Sequence, residues 1–100
     1  MKIRYLPEAD GELEEAVAYY HARNPQAAKR FDAAVRHEER HLQNHPYSAA
    51  ATLAPWRAWP IPHFPYSLIY RVARQALIVV ALAHHSRRPG YWADRLQGIH

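Results

Sequence analysis

Cysteine is missing from this chain, which removes both disulfide frameworks and thiolate metal sites. Lysine is missing after Lys29, and carboxylates are missing between Glu39 and Asp94. No apolar stretch approaches membrane-spanning length. The N-terminal Met1-Lys2-Ile3-Arg4-Tyr5-Leu6-Pro7 leads into an acidic segment without the apolar region of a signal peptide. The expectation is a cytoplasmic protein with no membrane partner.

What is present is unevenly distributed. Residues 1–44 carry seven Lys or Arg against eight Asp or Glu, a net of −1, whereas residues 45–100 carry six Arg and one acid, a net of +5. A basic half made only of arginine suits planar, bidentate contacts to phosphate or carboxylate. The functional surface is therefore expected in the second half, facing an anionic partner. The 100 residues fit one domain, 1–100, and are 49% hydrophobic, but eighteen are alanines that bury little area each. A thin core of this kind is expected to gain stability from a partner that covers apolar surface.

Lys2–Leu6 alternates like a short strand. Pro7 then sits where a first-turn proline belongs, and Leu13, Ala16, Val17 and Tyr20 repeat at helical spacing with Glu12, Glu14 and Glu15 on the other faces, predicting a helix over about 8–22. Asn24-Pro25 reads as a cap and first helical position. A second stripe of Ala28, Phe31, Val35 and Leu42 ends before His45-Pro46, and the short turn between the helices makes them an antiparallel hairpin.

Residues 47–52 read as a polar, alanine-rich connector. Pro55, Pro60, Pro62 and Pro65 follow, so a strand over about 56–61 must be irregular or at an edge. Tyr66–Val72 alternates cleanly, and a turn near Arg74-Gln75 leads to an apolar strand over 77–83. With a short C-terminal helix over about 91–96, the order is β-α-α-β-β-β-α. This is an α+β domain with a helical hairpin packed on one side of an antiparallel sheet.

The last strand empties into His84-His85-Ser86-Arg87-Arg88-Pro89-Gly90-Tyr91-Trp92-Ala93-Asp94-Arg95. Paired imidazoles, guanidiniums and aromatic rings delivered by a rigid element form a site-like arrangement. Strand alternation sends His84 and His85 to opposite faces, and Ala81 and Ala83 share the parity of His85, leaving a shallow groove beside it. Candidate target- or phosphate-binding residues are Arg71, Arg87, Arg88, Tyr91, Trp92 and Arg95. Arg71 and Arg74, near a hairpin end, are equally consistent with solvated charges. Trp56, Trp59, Tyr66 and Tyr70 read as sheet-packing aromatics. His37-Glu38-Glu39-Arg40-His41 satisfies H-E-x-x-H, but the helix ends near His45 and the domain is too small for a protease cleft, so the match is assigned to chance. No metal and no cofactor is expected.

The order of elements, the run Phe64-Pro65-Tyr66-Ser67-Leu68-Ile69-Tyr70-Arg71-Val72 and the ending His85-Ser86-Arg87-Arg88-Pro89-Gly90-Tyr91-Trp92 resemble the RelE/ParE superfamily of toxins from bacterial type II toxin–antitoxin systems, also known for plasmid stabilisation. The resemblance covers nearly the whole chain. It implies a growth-inhibiting toxin held in a hetero-oligomer by a cognate antitoxin, with either of two targets. RelE-like members cut messenger RNA in the ribosome without a metal. ParE-like members inhibit DNA gyrase and lack a complete nuclease site.

Against the nuclease pattern, one arginine position is Ser67 here, the arginine closing the last strand is His85, and the second-strand lysines fall near Ala58 and Pro60. Tyr91 is kept. Cleavage by a 2′-hydroxyl needs a base, an acid and cations for the developing phosphate charge. If the chain is a nuclease, His85 and Tyr91 are the catalytic candidates, with His85 as base or acid, Arg88 or Arg71 as phosphate clamp and Tyr91 stacking on a base. The departures favour the non-enzymatic ParE-like branch, with the nuclease as the alternative and a zinc- or nucleic-acid-binding domain as the remote one.

Overall fold

The computed structural model describes residues 1–53 and 55–96. Ala54 and residues 97–100, part of the expected domain, lie outside them. The elements are β1 (Lys2–Tyr5), α1 (Pro7–Arg23), α2 (Pro25–Asn44), β2 (Ala51–Leu53), β3 (Trp56–Pro60), β4 (Tyr66–Val72), β5 (Ala76–His84) and a 3₁₀ turn (Ala93–Leu96). Among the described residues, no helix is long and apolar enough to cross a membrane.

The helices form for local reasons. Pro7 opens α1, Glu8 and Asp10 occupy its positive end, and His21 and Arg23 its negative end. Asn24 serves both helices: its backbone N–H donates to the Tyr20 carbonyl, and its side chain accepts from the Gln26 N–H at 2.9 Å. With a single residue between them, the helices fold back on each other. Their apolar stripes, Ala9, Leu13 and Ala16 on α1 and Phe31, Val35 and Leu42 on α2, close over Leu68, Tyr70, Leu77, Val79 and Leu82 of the sheet. Phe31 anchors this core, its ring centroid 5.0 Å from Tyr20, 5.0 Å from Phe64 and 5.3 Å from Tyr66. Ala9, Ala16, Ala28, Ala49, Ala81 and Ala83 are buried but fill little space, so a few large side chains carry the packing. Buried Glu39 accepts from Tyr5 and from Arg36, fastening β1 to α2.

The strand order is β1-β5-β4-β3-β2. The expected order of elements holds, with three refinements. The sheet is mixed, because β1 runs parallel to β5 while every other pair is antiparallel. The expected connector over 47–52 contains the start of β2, which pairs with β3 through an irregular register. The expected helix over 91–96 is a 3₁₀ turn beginning at Ala93, since four residues make a single turn at best.

One detail in β5 orients everything after it. Ile69 pairs with Ala81 and Tyr70 with Val79, so Val80 is an extra residue without an opposite number, a β-bulge. Leu77, Val79 and Leu82 belong to the helix-side core, whereas Val80, Ala81 and Ala83 join Trp56, Ile69 and Trp92 in a second cluster on the opposite face.

Candidate functional site

His84 and His85 leave β5 in opposite directions, as alternation requires. His84 lies edge-on to the Tyr66 ring at 4.9 Å, and its Nδ1 accepts from the Ser86 N–H at 3.0 Å. His85 projects on the other face, where its Nε2 is 2.9 Å from the Ser67 hydroxyl of β4. Beside it is a groove of about 130 Å³ lined by Ala58, Ser67, Ile69, Ala83, Arg87, Tyr91 and Trp92 among others. The small side chains of Ala58 and Ala83 leave the groove open.

Pro89-Gly90 turns the chain back over the sheet. Gly90 has φ 80, a left-handed conformation that a side chain would strain. Tyr91 and Trp92 consequently pack at β5, their rings 5.5 Å apart in an edge-on arrangement. The Arg87 guanidinium lies over the Tyr91 ring at 4.0 Å and that of Arg95 at 5.0 Å, both within cation–π range.

Glu12 of α1 holds this segment in place. Its carboxylate receives the Tyr91 hydroxyl, two guanidinium N–H groups of Arg95 at 2.7 and 3.1 Å, and the Leu82 backbone N–H at 3.2 Å. Arg95 also donates to the Val80 carbonyl at 3.0 Å. Burial first, then the hydrogen bond and negative charge of Glu12, push the Tyr91 phenol up to about 12. That hydroxyl is a committed donor near neutrality. The sequence reading placed Glu12 on the polar side of α1 and assigned it no role. The available signal was its spacing, three residues after Ala9 and four before Ala16, both buried, which puts it at the border of the apolar stripe.

The candidates fall into distinct groups. His85, Arg87, Tyr91 and Trp92 meet at one groove, and Arg88 is exposed in the adjoining turn. Arg95 joins them through Glu12 and Tyr91, its charge already paired. Trp92 is only 7% exposed and fills the second cluster, so its ring offers a partner little surface. Arg71 does not share the site: it pairs with Ile78 near the far end of the hairpin, four residues from Ser67, about 13 Å along the strand. The register thus sets Arg71 apart from the groove at His85.

The H-E-x-x-H residues are engaged elsewhere. Glu38 is buried and accepts from the Trp59 indole at 2.9 Å, while His37 lies 2.7 Å from its other oxygen. Burial alone raises the Glu38 carboxyl, but the His37 and Trp59 contacts outweigh it and hold it below its ordinary value. His41 stacks on Trp59 at 5.0 Å. Among the described residues, no group of three or more His, Cys, Asp or Glu side chains is placed to hold a metal ion.

A family model described as "ParE toxin of type II toxin-antitoxin system, parDE" matches residues 3–89. Among solved structures, one titled "Chromosomal ParDE TA system from P. aeruginosa" superposes with a TM-score of 0.72 at 17% identity, covering 84% of this chain and 95% of that one. No curated protein matches the chain.

Proposed function

Because the chain belongs to the ParE toxin family of type II toxin–antitoxin systems, we propose that it stops growth in the cytoplasm by binding DNA gyrase, and that a cognate antitoxin neutralises it. The observation that carries this reading is the commitment of the C-terminal segment to fixed contacts. Tyr91 and Arg95 are both spent on Glu12, and Arg71 is at the far end of the strand. In the groove His85 is left with Ser67, since His84 faces the opposite side and the Tyr91 hydroxyl is given to Glu12. An acid, a base and a phosphate clamp are not gathered at one point, as RNA cleavage requires. Exposed Arg87 and Arg88 at the end of a rigid strand suit protein recognition, where arginine is prominent among the residues that carry binding energy.

The antitoxin segment suited to this surface is acidic and apolar, folding against the arginine-rich half. The second reading, a ribosome-dependent nuclease, is favoured by one feature: exposed His85 with Arg87 lining the same groove. Purified toxin distinguishes the two in a gyrase supercoiling assay run beside a ribosome-dependent cleavage assay. A gyrase binder loses most inhibition in Arg88→Ala and keeps much of it in His85→Gln, because glutamine still hydrogen-bonds. Cleavage that disappears in His85→Gln, with supercoiling untouched at excess toxin, reverses the conclusion.

A further inference from the structure

We infer that Glu12 is the positioning residue of the toxin's target-binding surface: one carboxylate on α1 sets where Tyr91, and the Arg87 guanidinium stacked on it, stand relative to the sheet. The inference deepens the preceding reading and rests on its claim that the C-terminal segment carries toxicity.

The β1 pairing covers β5 only from Ala76 to Val79, and the Leu6 N–H takes the Val79 carbonyl as the chain turns into α1. Beyond that point two backbone groups, the Val80 carbonyl and the Leu82 N–H, receive side chains in place of a strand: Arg95 caps the first and Glu12 the second. Both caps also bond to each other, with side chains 17% and 14% exposed for Arg95 and Glu12. The Arg95–Glu12 pair is thus fixed to the sheet at two backbone points. Tyr91 donates to the same carboxylate, so its ring inherits that position, and Arg87 lies 4.0 Å over the ring.

No other ion pair of comparable burial reaches the segment among the described residues. Pro89-Gly90 shapes the turn, and among the described residues the side-chain hydrogen bonds that tie its return to α1 all go to Glu12. A fork-shaped guanidinium held by both carboxylate oxygens is directional, unlike a point charge, so the contact fixes orientation as well as distance.

The test uses the full chain, purified and scored per folded molecule well below its melting temperature. Glu12→Gln keeps the size of the side chain and removes its charge. The expected result is an increase of about tenfold in the concentration giving half-maximal inhibition. Adding Arg95→Gln to that variant should cost nothing further, since both changes break one contact. Alkaline absorbance should also show the Tyr91 phenol ionising at lower pH than in the parent protein, since the hydrogen bond and charge of Glu12 are lost while burial still raises it. A residue that merely stabilises the fold lowers the melting temperature but leaves the potency of folded molecules alone. Full potency in folded Glu12→Gln therefore overturns the inference. If Glu12→Gln does not fold, Arg95→Gln is read in its place, with the same two outcomes. The double variant Arg87→Ala/Arg88→Ala separates this inference from its premise. If that variant keeps full potency, the C-terminal reading itself falls, and this inference with it. If it loses potency while Glu12→Gln does not, only the role of Glu12 is refuted.

Discussion

On the helix-covered face of the sheet, Trp59 donates its indole N–H to the buried carboxylate of Glu38. On the opposite face, Trp92 is buried as well, yet its Nε1 has no partner among the described residues. The first face is closed within the chain: rings meet rings around Phe31, and the two buried acids, Glu38 and Glu39, are both bonded. Among the described residues, the second face carries the returning C-terminal segment and ends in exposed His85, Arg87 and Arg88. A buried donor without a partner costs about 1–3 kcal/mol. Among the described residues, the ring packing and the bonded acids lie under the helices, whereas the buried donor without a partner lies beside the candidate site.

The sharpest way to break the comparison is at Phe31. Phe31→Ala should lower unfolding stability by about 4 kcal/mol, because the ring is fully buried among three others. Denaturant titration reads it, and a loss near zero would show that the helix face is not the main core. Trp59→Phe comes next, at about 2 kcal/mol, since it leaves the Glu38 carboxylate without one of its donors.

A smaller effect is expected in alkali. The Tyr91 phenol titrates near 12 in the folded protein and near its ordinary 10.0 once unfolded. Its contribution is therefore complete below pH 10 and disappears as pH rises through about 12. Partial exposure screens the effect, and comparing Tyr91→Phe with the parent across that window isolates it. The smallest change is expected from Trp92→Phe, within about 1.5 kcal/mol, because the substitution removes a donor that has no partner among the described residues and keeps most of the ring. Equal losses in Trp92→Phe and Trp59→Phe would erase the distinction between the faces.

Much of this architecture is legible in the residues. The two apolar stripes, the Asn24-Pro25 junction and the alternation of Tyr66–Val72 each follow from local chemistry with a clear period. The opposite directions of His84 and His85 and the groove beside Ala83 follow from strand parity alone. The bulge could not be read, because Leu77–Ala83 is apolar throughout and a strand buried on both faces shows no alternation to interrupt. The Glu12 clamp was hidden for a different reason. Its partners are 70, 79 and 83 residues away in the chain, and pairing over such distances leaves no mark in local spacing. Arg71 was grouped with the other arginines by composition, whereas the hairpin register puts the length of a strand between them.

Val80 acts on β5 as a single inserted letter acts on a reading frame. Were every residue of β5 paired in a regular strand without the bulge, Ala81, Ala83 and His85 would fall into phase with Leu77 and Val79, beneath the helices, while Leu82 and His84 would turn outward. What the bulge contributes is therefore a count of residues and not a side chain. Substitution scanning at Val80 would report only the loss of a buried valine, and a one-residue deletion there would straighten β5 while leaving both histidines on their present sides, because the strand would then alternate regularly from Val79 into Ala81.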